Sequence, residues 1–308
     1  MTRPLAILLG LLAVLAAGCG KRPGDLPAPV VLVEVAPLVS LVEPLVGEGV
    51  VVRTIVPPGA SAHGYQISPA QARDIAKAGM VVLVGPVLDP GIARAVRRLA
   101  PEERIFEIGA RLGIEPEEHD HDHGDHDHDH DHHHGPDPHL WLDPDLMDRM
   151  LDYLPGALAA RGLSAPDAEA AVAGVRAEIA GVRDAYAERL APFAGRAIIT
   201  HHDAFRRIAD RHGLTIAQVV RPVAAVEPTP GDLDRVLAAA RAHSVGAIFV
   251  EPQFPDALPR RIAERLSIGV HVLDPEGSTD WAGMMMGNLE ALEAGLSRPA
   301  PGGPGAGG

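Results

Sequence analysis

The sequence predicts an α/β protein built as two four-stranded parallel-sheet domains joined by one long rigid helix. Two observations carry this. Short apolar, β-branched runs alternate with helix-like segments in two successive series of four, the pattern of parallel sheets covered on both faces. Between the series lies SAPDAEAAVAGVRAEIAGVRDAYAERLAPF, where Val172, Val175, Ile179, Val182, Tyr186 and Leu190 keep helical spacing.

The first series of strands is VVLVEV (30–35), VVRTIV (51–56), MVVLVG (80–85) and RIFEIG (104–109). Helices are expected between them, over SPAQARDIAKAG and DPGIARAVRRLA. The connecting helix, 164–192, is expected to start at Ser164, with Asp167 three places on as in a capping box, and to end at Pro192. About 25 residues at 1.5 Å each give ~38 Å of stiff connection. The second series is RAIIT (196–200), TIAQVV (215–220), GAIFVE (246–251) and GVHVLD (269–274). Thr229 is placed as an N-cap, with Pro230 in the first turn of the helix that precedes GAIFVE. The domains are accordingly 29–161 and 195–297.

The 308 residues suffice for two domains of ordinary size, and 46% hydrophobic content permits a full core. Aromatics make up only 3%, so Val, Leu, Ile and Ala must fill most of it. A formal charge of -14 argues against nucleic acid as a partner, since phosphate binding needs a basic surface. At the N-terminus one Arg precedes an apolar run from Leu5 to Ala17, a secretory signal over 1–19 that is too short to span a bilayer comfortably. It ends in LAAGC, which resembles a bacterial lipobox with Leu one place further from Cys19 than in the commonest form. The alternative is a plain cleaved signal. Either way export is expected, with lipid anchoring at Cys19 in the first case. Residues 20–28 read as a tether and 298–308 as a disordered tail. With a single Cys no intramolecular disulfide can form.

Residues 119–134 hold nine of the chain's 16 histidines, interleaved with six aspartates and without an apolar residue. Such a run attracts cations and is expected to be a mobile loop. A mobile ligand set loses ordering entropy on binding, so a rigid site should bind more tightly. The run is therefore expected to be bait or buffer for a site elsewhere.

Ligands of open parallel sheets bind beyond the carboxyl ends of the strands. VVRTIV is followed by PPGASAHGY with His63, and RAIIT by HHDAF with His201 and His202. The histidine run closes on DPHLWLDP with His139, and GVHVLD ends in Asp274. These residues point to a metal site in the interdomain cleft. Three imidazoles and a carboxylate suit Zn²⁺, also allow Cu²⁺, Ni²⁺ or Co²⁺, and are less suited to Mn²⁺, which prefers oxygen. Asp274 could instead cap a turn in LDPEG. Glu227 and Glu251, both followed by Pro, could orient a ligand histidine through its second ring nitrogen. The MMM run at 284–286 reads as packing of a helix that starts near Asp280.

PPGASAHGY, DPHLWLDP, HHDAFRRIADRHGL, EPQF and LDPEG together resemble the metal-specific solute-binding proteins of bacterial ABC importers, the cluster A-I type. The resemblance covers about 28 to 297. It implies metal ligands at His63, His139, His202 and Asp274, with His201 a neighbour of the third. Zinc-uptake members often carry a His/Asp-rich insertion before the second ligand, and manganese-type members replace the third histidine with glutamate. AFRRIADRHGL departs from the family, many members of which have an aromatic pair before the final Gly-Leu, so packing near the site should differ.

The expected function is high-affinity capture of Zn²⁺ outside the cytoplasm and delivery to an ABC-transporter membrane permease, by a monomer. The alternative is a manganese or other divalent-metal protein of the same class. Storage, adhesion and zinc hydrolysis are weaker readings. The chain has no His-Glu-x-x-His helix and no Gly-x-Ser-x-Gly elbow, so it is not expected to be an enzyme.

Overall fold

The computed structural model describes residues 28–115, 136–221 and 228–298. The signal segment, the histidine run, Glu227 and the tail beyond Arg298 lie outside the described residues.

All eight expected strands form: β1 (Val30–Val33), β2 (Val51–Thr54), β3 (Met80–Leu83), β4 (Ile105–Glu107), β5 (Ala197–Thr200), β6 (Thr215–Val219), β7 (Ala247–Val250) and β8 (Gly269–Val272). Most stop short of the apolar run that announced them, because the last residues leave the ladder to build the site loops. In the first lobe the helices are α1 (Leu38–Val42), α2 (Pro69–Lys77), α3 (Pro90–Leu99), α4 (Ile108–Leu112), α5 (Pro144–Met150) and α6 (Leu154–Ala159). Then come α7 (Ala168–Leu190), α8 (Arg206–Arg211), α9 (Pro230–Ala242), α10 (Ala257–Leu266) and α11 (Trp281–Leu296).

The two sheets are all-parallel and share one topology, β2-β1-β3-β4 and β6-β5-β7-β8. In each, successive connections leave the first strand in opposite directions, which opens a crevice at the carboxyl ends of the central strands. Sequence signals set the helix starts. Ser68 and Gln71 form a capping box on α2, as Thr229 and Asp232 do on α9. Asp280 caps α11, where Met284 and Met285 are buried as expected of core methionines.

The connecting helix α7 is 23 residues long and continues as a 3-10 turn over Ala191–Phe193. It begins later than the sequence suggested. Asp167 is the cap, accepting from Ala170 N at 3.0 Å, while Ser164 pairs with Val46 in an isolated bridge. Ser164 is held in this bridge against the first lobe, with Ala165 N donating to Leu45 O at 2.9 Å, and a turn at 166–167 leads into the helix.

One apolar core runs through both lobes. It includes Val31 and Val81 of the first sheet, Val175, Ile179 and Tyr186 of α7, and Phe249 and Leu289 of the second lobe. A smaller cluster fills the other face of the second sheet, around Ile199, Val236 and Ile248. The chain's 2 tryptophans are both fully buried where the lobes meet. Buried indole N–H groups need acceptors. Trp141 Nε1 donates to Pro275 O at 2.6 Å, and Trp281 Nε1 donates to Trp141 O at 2.6 Å. The Tyr186 hydroxyl donates to Met285 O at 2.7 Å, fastening α7 to α11. These contacts lock the two sheets together around the cleft.

Candidate metal centre

Three loops bring one histidine each to the cleft. His63 follows β2. Its neighbour Gly64 takes φ +74°, which suits glycine, and donates its N–H to Asp89 Oδ2 at 2.8 Å. Asp89 also caps α3 through Ile92 N at 2.8 Å, so the loop hangs on a helix start. His139 opens the 3-10 turn Leu140–Leu142 and packs edge-on against the Trp141 ring. His202 follows β5, with Phe254 edge-on to its ring.

Their Nε2 atoms converge. His139 Nε2 lies 3.2 Å from that of His63 and 3.1 Å from that of His202. All three ligand atoms fall within 4.8 Å of one another. Nitrogens bound to one tetrahedral zinc at 2.0–2.1 Å sit about 3.3 Å apart, so the separations approach the edges of such a site. His139 and His202 are buried and His63 is half-buried.

Carboxylates stand behind two of the rings. Asp137 Oδ1 accepts from His139 Nδ1 at 2.8 Å and from its backbone N at 2.9 Å. Glu251 Oε2 bonds His202 Nδ1, and Glu251 Oε1 accepts from His202 N at 3.0 Å. A carboxylate on Nδ1 holds the proton there and leaves the Nε2 lone pair facing the cleft. Burial works against a charged His202, yet the Glu251 carboxylate, by charge and hydrogen bond, raises its pKa above the usual value. Among the described residues His63 has no such carboxylate on Nδ1: burial, then repulsion from His139 and His202, lowers its pKa to about 3. Burial opposes ionisation of Asp137 and Glu251, and their histidine partners outweigh it, leaving both below the usual carboxylate range.

The fourth expected residue is not in this group. Asp274 Oδ1 accepts from Gly277 N at 2.7 Å, Glu276 N at 3.2 Å and Gln253 Nε2 at 2.7 Å, the geometry of a turn cap. Its Oδ2 curls so far back that a Cβ on Gly277 would lie 2.0 Å away, which explains the glycine of LDPEG. The turn carries Glu276 into a buried position, where both oxygens face Ala62 N, at 3.1 and 3.4 Å, across the cleft and beside His63. Burial raises the Glu276 pKa to about 7, against the pull of His202. His201 also stays outside the triad, its Nδ1 accepting the Glu251 N–H at 3.3 Å.

Sequence reasoning named Glu251 as one of two acids able to orient a ligand, but missed Asp137 and Glu276. Asp137 was findable as a carboxylate two residues before a ligand histidine in DPH. Nothing in the sequence distinguishes Glu276, whose place depends on the Asp274 turn. The helix after His202 also reaches the other lobe. Arg207 Nη2 donates to Asp137 O at 2.5 Å, and Arg207 N to Asp137 Oδ2 at 3.3 Å, from the opposite lobe.

The chain resembles known proteins over most of its length. It is 28% identical to the high-affinity zinc uptake system protein ZnuA of Paracoccus denitrificans, covering 96% of this chain and 98% of that protein. It is 22% identical to the manganese-binding lipoprotein MntA of Halalkalibacterium halodurans, covering 95% and 98%. A crystal structure of ZnuA superposes with a TM-score of 0.72 at 23% identity, over 88% of this chain and 100% of the other. The family model of the zinc-uptake complex component A periplasmic protein matches residues 31–295. On that match the chain belongs to the periplasmic zinc-uptake component A family, the metal-binding solute-binding proteins anticipated from its motifs.

Proposed function

We propose that this protein captures one Zn²⁺ between its lobes through His63, His139 and His202 and delivers it to the membrane permease of an ABC importer. The convergence of the three Nε2 atoms carries the reading. Carboxylates hold Nδ1 of two rings, which turns their Nε2 toward the cleft, and burial keeps the third ring, His63, from protonating. An all-imidazole triad favours zinc over manganese, which prefers oxygen donors. The fourth position is assigned to a water or to the Glu276 carboxylate, with Asp274 shaping the turn that presents it. Binding and release are the whole task, with no catalytic step assigned. The protein works as an exported monomer tethered through acylated Cys19, with 29–161 and 195–297 as its lobes and the histidine run as an accessory collector.

Chelator-competition titration of Zn²⁺ and Mn²⁺ tests this on soluble protein beginning after Cys19, with and without 119–134. The expected result is one tight Zn²⁺ in both, far weaker Mn²⁺, and loss of the tight site in His202→Ala. A tight site that vanishes with 119–134 and survives His202→Ala would move the function to the histidine run, and tighter Mn²⁺ would make this a manganese protein.

A further inference from the structure

The arginines of α8 reach across the cleft. Arg207 and Arg211 are one helical turn apart and share a face. That face meets the stretch from Asp137 to Asp145, which carries His139. Arg211 Nη2 donates to Asp143 Oδ1 at 2.7 Å, and Arg211 Nη1 bonds Asp145. Arg207 grips Asp137 through its backbone N and its Nη2, with Nε 3.7 Å from Oδ2.

The two arginines differ in what they hold. Asp137 divides its carboxylate, giving Oδ1 to the Nδ1 and backbone N of His139 and Oδ2 to Arg207. Asp143 and Asp145 hold no cleft histidine among the described residues. Asp143 Oδ1 accepts from Asp145 N at 3.0 Å, at the start of α5. Arg207 stands five places after His202, on the helix that follows that ligand. A ligand of one lobe is thereby joined by a short covalent path to the group that aims a ligand of the other. The Asp137 and Arg207 side chains are 10% and 20% exposed, so the pair is well screened from water. Among the described residues Arg206, beside it, bonds Asp203 of its own lobe, at 2.9 and 2.7 Å.

We propose that Arg207 is a positioning residue that holds the Asp137 carboxylate on His139 from the opposite lobe and so sets the affinity of the cleft for its metal. This rests on the triad being the metal site. Arg207 itself touches no metal. Its backbone N–H holds Oδ2, its Nη2 holds the Asp137 carbonyl, and its Nε stands at ion-pair distance from Oδ2, so the Oδ1 edge stays on Nδ1 and Nε2 of His139 stays aimed at the ion. Loss of the guanidinium leaves the backbone N–H on Oδ2 but frees Asp137 O and removes the opposite charge beside the carboxylate, which loosens it. His139 then samples orientations in which its lone pair misses the ion, and the lobes lose the link between their ligands.

A double-mutant cycle on the soluble protein, read by zinc chelator competition, tests the proposal. Arg207→Gln is expected to weaken Zn²⁺ binding about tenfold, as loss of a group behind a ligand does. Arg207→Lys, which keeps the charge without the planar fork, should recover part of that loss. Asp137→Asn should weaken binding further, and adding Arg207→Gln to it should cost little more, because the arginine acts through that carboxylate. Arg211→Gln removes two cross-lobe pairs without touching Asp137 and should leave affinity within about twofold. Thermal unfolding of the metal-free proteins checks that every variant folds; if Arg207→Gln does not, Arg207→Lys carries the cycle. The proposal is overturned by unchanged affinity in the Arg207 variants, by additive losses with Asp137→Asn, or by an equal loss in Arg211→Gln. Wild-type protein that holds no zinc in the cleft, or holds it equally well as His202→Ala, would instead defeat the function proposed above.

Discussion

Glu251→Gln isolates the contribution of a carboxylate that never meets the ion. Glu251 is 2% exposed and spends both oxygens on His202, one on Nδ1 and one on the backbone N. Glutamine fits the same space. Its amide oxygen can keep the backbone bond, and its NH2 then faces Nδ1. A neutral imidazole answers by moving its proton to Nε2, which satisfies every bond and aims an N–H at the metal position. The metal-free protein should therefore unfold close to the wild-type temperature. Metal binding must reverse the tautomer and set donor against donor at Nδ1, leaving a buried hydrogen bond unmade at about 1–3 kcal/mol. That corresponds to roughly ten- to hundredfold weaker zinc, the range found when groups behind metal-bound histidines are removed. Chelator competition near neutral pH reads the affinity, and ¹⁵N chemical shifts of His202 read the tautomer. An affinity within about threefold of wild type, in a folded variant, would show that the carboxylate does not set the donor and would refute the reasoning.

Three further outcomes are expected. Zinc affinity should fall as pH drops through the raised pKa of His202, starting above the ordinary 6.5, because a proton on that ring competes with the metal; His63, lowered to about 3, contributes nothing to this fall at mildly acidic pH. Titrations from pH 8 to 5.5 check it, and a flat profile refutes it. Glu34 is fully buried, accepts from Val84 N at 2.7 Å and Gly85 N at 3.2 Å, and has its pKa raised by burial to about 8. The folded state thus keeps a proton that the unfolded chain releases above 4.5, so this group costs stability as pH rises from 4.5 to 8. Glu34→Gln should remove that cost and raise the unfolding temperature more at pH 8 than at pH 5, while an equal shift at both would refute it. Tyr186→Phe removes the bond to Met285 O and should cost about 1 kcal/mol in urea unfolding; no loss would mean that the hydroxyl adds nothing to the junction of α7 and α11.

Much of this protein could be read from the chain alone, because its signals are local. Parallel strands buried on both faces need continuous apolar runs such as MVVL and AIFV, and helix starts need Ser68, Thr229 or Asp280 in place. His63, His139 and His202 are legible for a related reason: strand ends and rigid short motifs carry them, and the topology of parallel sheets sends those ends to one cleft. Competition between local signals was harder to read. Ser164 had cap chemistry and lost to Asp167 because pairing with Val46 claims its backbone.

What only the tertiary structure decided involves partners distant in sequence. Asp274 offers the same carboxylate whether it binds a metal or caps a turn, and only the fold shows that its Oδ1 accepts from the N–H groups of Glu276 and Gly277. Glu276 becomes a cleft acid only because Ala62, 214 residues away, receives it. Arg207 meets Asp137 across 70 residues and two lobes. Strand and helix periodicity follows from neighbours along the chain, whereas the direction of a lone pair follows from whichever charged group folding places behind the ring.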